Sequence, residues 1–287
     1  MEHFYIITNH DKDENLQITR MIREYLESHG KTCDIQAERN KAKSSSYRYT
    51  DVEAIPENVD CILVLGGDGT LLQAARDVVK REIPLFGINM GTLGYLAEGD
   101  KHSIIPALDS LMAEEYEIES RMMLRGTLYH NRRKVITDLA LNDIVIRREG
   151  PLRIIKFKNF INGEFLNAYN ADGIIIATPT GSTGYSLSAG GPIVSPRASL
   201  LLMTAIAPHT LNTRSILFDS KDKICIEIGA GRGDSPENAV ASFDGDTNIP
   251  MRTGDKIEII CAKEVTKIVK INKVSFLEVL RKKMSNT

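Results

Sequence analysis

The rhythm of apolar and polar positions changes once along this chain, near residue 120. Before that point, short apolar runs alternate with stretches whose apolar residues recur every three or four positions. Residues 4–8 predict a strand, 16–28 an amphipathic helix and 32–36 a second strand. Residues 61–65 predict a third strand, 70–81 a helix, 85–88 a strand behind Pro84, and 104–114 another helix. Such alternation argues for an open, mainly parallel, Rossmann-like sheet covered by helices. Beyond residue 121 the pattern becomes short runs rich in Ile, Val and Phe, at 124–129, 144–147, 154–161, 173–177, 224–228, 240–243 and 257–260. Turn residues separate them, and Asn162-Gly163 is a strong two-residue hairpin signal. This half predicts an all-β antiparallel sandwich, with helices only at 199–206 and 275–284. The fold class expected is therefore an α/β N-terminal domain, residues 1–120, followed by a β-sandwich domain, residues 121–264.

Composition narrows this picture. At 287 residues the chain is long enough for two cores. Charged residues make up 26%, the net charge is −2 and no long block of one sign occurs, which argues against nucleic acid or a membrane surface as partner. Cys33, Cys61, Cys225 and Cys261 are far apart, and three lie in strand-like apolar runs. They read as buried free thiols of a reducing compartment, neither a disulfide frame nor a zinc site. The first residues lack a basic leader, and no segment approaches the roughly 18 consecutive apolar residues of a membrane span. A soluble cytoplasmic chain is the expectation, and the polar stretch 38–50 is expected to be a mobile loop.

Chemistry concentrates at Gly66-Gly67-Asp68-Gly69-Thr70, which follows the apolar run 61–65 and opens the predicted helix. Glycines let backbone N–H groups approach an anion, and a helix N-terminus behind them adds a favourable dipole, so the context marks a phosphate site. Asp68 is the odd member: two unit charges 4 Å apart repel by about 4 kcal/mol at an effective dielectric of about 20. A carboxylate there calls for a task, either accepting the proton of a hydroxyl that attacks a phosphoryl group or helping to hold a metal. The blander reading is a strand-to-helix turn with Asp68 near an N-cap.

Other signals separate under inspection. Gly30-Lys31-Thr32 imitates the end of a P-loop, but Tyr25 stands where the first glycine belongs, and the run lies between a helix and a strand, the reverse of the required order. Leu72 spoils a G-x-G-x-x-G, and Arg232-Gly233-Asp234 is a chance tripeptide in a turn. Ala171-Asp172-Gly173, a strand, and then Thr178-Pro179-Thr180-Gly181-Ser182-Thr183-Gly184-Tyr185-Ser186 form a dense set of hydroxyls and glycines with one aromatic ring. That set suits a nucleotide pocket and equally suits a loop of a sheet protein. Asn142-Asp143 offers an amide and a carboxylate for ribose hydroxyls, or an Asx turn.

Taken together, these runs resemble the NAD kinase family over most of the chain. The resemblance rests on Gly66-Gly67-Asp68-Gly69-Thr70, Gly87-Ile88-Asn89-Met90-Gly91-Thr92-Leu93-Gly94-Tyr95-Leu96, Asn142-Asp143, Asp172-Gly173 and 178–188 with Ala189-Gly190-Gly191-Pro192. It implies ATP-dependent phosphorylation of the 2′-hydroxyl on the adenosine ribose of NAD, with Mg²⁺ as the divalent metal and Asp68 taking the hydroxyl proton. A free aspartic acid, pKa about 3.9, is a poor base for an alcohol, so late proton transfer and placement would carry the step. The resemblance also implies ribose and adenine contacts for Asn142 and Asp143, roles for Asn170 and Asp172, and an adenosine pocket from Thr183, Gly184, Tyr185, Ser186 and Ser188. Tyr95 becomes an aromatic wall, Ala207 and Asp246 line the pocket, and Arg153 partners the new phosphate. Asp143 stands where Glu is commoner, Gly184 where Ala is frequent and Asp246 where Gln is frequent. The tail, 265–287, is expected to pack on the first domain, and a homodimer or homotetramer is expected. A lipid or sphingoid kinase with the same glycine run, and a non-catalytic dinucleotide sensor, are the competing readings.

Overall fold

In the computed structural model, residues 1–36, 50–91, 94–101, 103–150, 154–210, 213–271 and 275–285 are described. They fall into two units, Met1–Arg121 with Val265–Thr287, and Met122–Glu264. In the first, the unbroken apolar runs are central strands, because a parallel sheet covered on both faces leaves no polar side. Strands β1 (His3–Thr8), β3 (Cys61–Gly66) and β4 (Leu85–Asn89) are buried at every position. With β2 (Thr32–Ile35) at the edge they run parallel in the order β4-β3-β1-β2, and the two-residue β5 (Gly99–Asp100) pairs β4.

Helices α1 (Gln17–Ser28), α2 (Asp68–Val78) and α3 (Ile104–Met112) each bury one stripe. Ile22 and Leu26 of α1, with Ile104, Leu108 and Leu111 of α3, join Phe4, Ile6, Leu63, Leu65 and Phe86 in one core. Each fully buried side chain of this size contributes roughly 1.5–3 kcal/mol. Helix α1 stops at Gly30, φ +73°, where Gly30 N–H reaches Glu27 O and Lys31 N–H reaches Leu26 O. That is a Schellman cap, and it is the physical reason for the glycine that imitates a P-loop.

The second unit is two antiparallel layers. One sheet has the order β13-β12-β11-β8-β15-β16, built from β8 (Asp143–Arg148), β11 (Gly173–Ala177), β12 (Leu200–Ile206), β13 (Ile216–Asp219), β15 (Asn238–Phe243) and β16 (Thr247–Arg252). The other runs β10-β9-β14-β17, from β9 (Ile155–Ile161), β10 (Glu164–Ala171), β14 (Ile224–Ile228) and β17 (Lys256–Lys270). The strands β6 (Glu117–His130) and β7 (Arg133–Ala140) form a hairpin. Ile144, Ile146, Ile174 and Ile176 of the first layer share one core with Phe157, Ile224, Ile226, Ile257 and Ile259 of the second, as in a sandwich. Within the first unit, Ile268, late in β17, pairs Leu85 in parallel.

Two expectations need correction. Residues 199–206 are not helical: Leu200–Ile206 is a strand bonded on both sides, to β11 and β13. Its leucines favour helix intrinsically, and two ladders of pairing override that preference. Of the four free thiols, Cys33 and Cys61 are buried while Cys225 and Cys261 are half-buried. Burial pushes the Cys33 thiol up to about 12. The hairpin signal is realised: Asn162 and Gly163 have φ +53° and +88° between Ile161 and its partner Glu164, the geometry of a type I′ turn. Residues 37–49 of the expected loop lie outside the described residues. Among the described residues no helix is long and apolar enough to cross a membrane.

Candidate active site

The glycine run lies at the carboxyl end of β3, where open α/β sheets hold their ligands. Gly67, in extended conformation, is the N-cap of α2, and no side chain caps this helix. A methyl group on Gly66 would stand 2.3 Å from Thr70 Oγ1, so Gly66 is required by the buried threonine that folds back over the loop. Asp68 opens the first turn of α2, but its carboxylate serves another segment: Oδ2 accepts the Tyr95 N–H at 2.7 Å and Oδ1 the Leu96 N–H at 3.2 Å. A carboxylate has about four lone-pair sites, so each oxygen keeps one for a further donor. Gly94 has no room for a side chain, since a methyl there would lie 2.0 Å from Asp68 Oδ1. The Tyr95 ring carries the Lys283 ammonium of α5 (Phe276–Ser285), 4.5 Å from its centroid. Gly66, Gly67, Asp68, Gly69, Thr70 and Tyr95 are therefore assembled in the first unit, with Gly69 open to solvent.

In the second unit Asn142 and Asp143 are held by a residue that sequence reasoning passed over. Asp244, in the turn after β15, accepts the N–H groups of Leu141, Asn142 and Asp143 at 2.7, 2.8 and 3.0 Å. It sits at φ +50° and is followed by Gly245 at φ +79°; the turn residues in the run 242–246 were its only signal. Thr178 ties the hydroxyl-rich loop to the same backbone, donating from Oγ1 to Leu141 O at 2.7 Å and from N–H to Asn142 O at 2.9 Å. Thr183 and Gly184 close this loop, and a methyl on Gly184 would be 3.4 Å from Asn142 Nδ2 and 3.8 Å from Asp143 Oδ2. An alanine at this position would thus touch both side chains.

The remaining predicted residues divide. Tyr185 and Ser188 are exposed on the one-turn helix α4 (Tyr185–Ser188), whereas the buried Ser186 hydroxyl lies 3.2 Å from Thr204 Oγ1 and is used in packing. Asn170, Asp172 and Ala207 come together at the ends of β10 and β12, where Asp172 N–H reaches Ile206 O and His209 N–H reaches Asn170 O. Asp172 Oδ1 accepts Arg148 Nε–H at 2.8 Å, a partner the motifs did not reveal. Ala207 holds φ +43°, which costs a non-glycine residue on the order of 1–3 kcal/mol. Asp246 shares the Asp244 turn through its N–H to Phe243 O. Arg153 lies outside the described residues.

Residues 4–116 match the family described as ATP-NAD kinase N-terminal domain, and 141–271 match the ATP-NAD kinase C-terminal domain. The chain is 48% identical to an NAD kinase of Agathobacter rectalis, over 100% of this chain and 99% of that one. It is 46% identical to one of Lachnospira eligens, over 99% and 100%. This chain belongs to the NAD kinase family. Its fold is similar to that of yeast NADH kinase complexed with NADH, with TM-score 0.81 and 27% identity over 99% of this chain and 88% of that one. An Archaeoglobus fulgidus NAD kinase in complex with ATP shares the fold as well, with TM-score 0.76 and 24% identity over 99% of both chains.

One family position has unusual electrostatics here. Burial first, and the Asp244 carboxylate second, push the Asp143 carboxyl up to about 7. A carboxyl whose pKa is higher folded than unfolded holds its proton more tightly when folded. Its stabilising contribution is complete below about pH 4 and is lost as pH rises through about 7. Between about pH 5.5 and 8.5 the wild type should lose about 2 kcal/mol of stability relative to Asp143→Asn. Urea unfolding of both proteins at the two pH values measures this, and parallel pH profiles would remove the assignment.

Proposed function

We propose that this chain transfers the terminal phosphoryl group of ATP to the 2′-hydroxyl of the adenosine ribose of NAD, giving NADP and ADP. The observation that carries this is Asp68. Its carboxylate is fixed by two backbone N–H donors, at the mouth of a glycine loop that opens a helix. A ribose hydroxyl hydrogen-bonded to a free lone pair of Asp68 is oriented for attack on the phosphorus. As the new O–P bond forms and the bond to the bridging oxygen of ADP breaks, the hydroxyl proton passes to Asp68. The N–H groups of the loop, backed by the α2 dipole, meet the charge on the transferring oxygens.

Among the described residues no three His, Cys, Asp or Glu side chains group to hold a metal. The divalent ion is assigned to the donor, Mg²⁺ on its phosphates offsetting their charge, the usual setting of that ion in phosphoryl transfer. Asn142 and Asp143, with Gly184 beside them, are assigned to the adenosine part of the dinucleotide, together with Thr183 and Tyr185 of the same loop. Asn142 Oδ1 supports this as a buried acceptor with no partner, ready for an amine or hydroxyl donor. Asn170, Asp172, Ser186, Ser188, Ala207 and Asp246 are assigned to the same task on family likeness, as are the cytoplasm and a homodimer or homotetramer.

Purified protein with NAD, Mg²⁺ and ATP should form NADP, read by an NADP-specific dehydrogenase, and a parallel assay with polyphosphate decides whether it replaces ATP. Tight NAD binding without turnover would favour the sensor, and competition by lipid micelles would favour the lipid kinase.

A further inference from the structure

We propose that Lys12 is the fixed cation of the phosphate loop, its ammonium contacting the terminal phosphates of the donor; this rests on the phosphotransferase reading above. Lys12 lies in the loop after β1, the strand next to β3 in the sheet. Loops at the carboxyl ends of neighbouring parallel strands share one crevice. A methyl group on Gly67 would stand 2.9 Å from Lys12 Nζ, and one on Gly91 would stand 3.8 Å from it. The ammonium thus rests against both glycine turns, the one after β3 and the one after β4. A side chain at Gly67 would push the cation aside.

Among the described residues no carboxylate pairs with Lys12, although Asp11 and Asp13 flank it. Asp13 is buried and turned to the start of α1, accepting the N–H groups of Ile18 and Thr19 and the Thr19 hydroxyl. A cation without a counter-charge, set beside the N-terminus of α2, faces a dipole of its own sign until an anion arrives.

The backbone beneath it is also fixed. Lys12 N–H and Asp13 N–H both reach Asn9 O, at 3.0 and 3.2 Å. Asp11 N–H reaches Asn9 Oδ1 at 3.0 Å, and Asn9 N–H bonds Leu65 O of β3 at 2.8 Å. Asn9 Nδ2 donates to Thr70 Oγ1 at 3.3 Å, inside the first turns of α2. The lysine is therefore mounted on the same strand and helix that carry the glycine run. A polyphosphate is the class of ligand that matches: several negative oxygens meeting loop N–H groups and one ammonium.

The test compares Lys12→Met and Lys12→Arg in steady-state kinetics with ATP and NAD varied separately, together with calorimetric binding of inorganic triphosphate with Mg²⁺ at low and high salt. Lys12→Met should weaken triphosphate binding and raise KM for ATP by roughly 10–100-fold, with a flatter salt dependence. KM for NAD should move less than about twofold and the thermal midpoint should hold, because the side chain is exposed, while Lys12→Arg recovers most of the loss. Unchanged triphosphate affinity in Lys12→Met would overturn the assignment while leaving the kinase reading intact. Equal losses toward NAD and ATP would overturn it too, as general damage to the loop. Should the wild type make no NADP, the kinase reading fails, and triphosphate binding still decides the role of Lys12.

Discussion

Asp68→Asn should give a folded protein whose NADP formation falls about 10²–10⁴-fold, the usual worth of a positioned proton acceptor. The substitution keeps the shape and removes the charge. Its carbonyl oxygen can still accept one of the two N–H groups, from Tyr95 or Leu96, while its NH₂ is set against the other. Losing one charge-assisted bond costs roughly 1.5–3 kcal/mol, less than the stability of an ordinary domain, so the fold survives. NAD binding should hold within a fewfold, because the amide still offers the ribose an acceptor. The experiment separates two accounts of the residue. Were Asp68 only a helix-end residue, Asn would serve as well, since the two rank together at helix N-termini. Circular dichroism, calorimetric NAD binding and the NADP assay decide between them; more than about a tenth of wild-type turnover in Asp68→Asn would end its role as proton acceptor.

How far the sequence reveals this arrangement depends on how local each cause is. The runs that became β1, β3, β4 and β11 are buried at every position, and an unbroken apolar run records that directly. By contrast, β7 begins at Arg133-Lys134 with its first three positions exposed, and Pro250 sits in β16, which only an edge strand tolerates. Neither carries the apolar signature of a strand; neighbouring chain makes it one. The site divides along the same line. Asp68, Asn142 and Asp143 stand out because glycines and Asx residues cluster around them in sequence. Asp244 holds Asn142 from 102 residues away, and Arg148 meets Asp172 from 24 away, distances that no motif spans. Lys12 is invisible for the same reason, being one lysine in a polar loop until the sheet brings it beside Gly67. Gly30 errs the other way, because a helix stop and a phosphate loop both call for glycine.

Gly94→Ala tests the placement of Asp68 without touching Asp68. A methyl group at position 94 would lie 2.0 Å from Oδ1, 2.5 Å from Cγ and 2.7 Å from Oδ2, overlapping the whole carboxylate. The space at Gly94 is taken by the Asp68 carboxylate, so the effect of alanine falls on that neighbour. The cheapest relief is rotation of the Asp68 side chain, which gives up its bonds to Tyr95 and Leu96 and carries the proton acceptor away from the loop. Turnover should fall about 10²-fold or more, since a misplacement of about 1 Å is enough for that, with a stability loss of about 1–3 kcal/mol. Because both substitutions act through one carboxylate, their effects should not multiply. In the Asp68→Asn background, Gly94→Ala should lower the residual rate by less than about threefold, a double-mutant cycle with strong coupling. Losses that multiply would mean that position 94 acts on something other than Asp68, and the bare glycine would need a different cause.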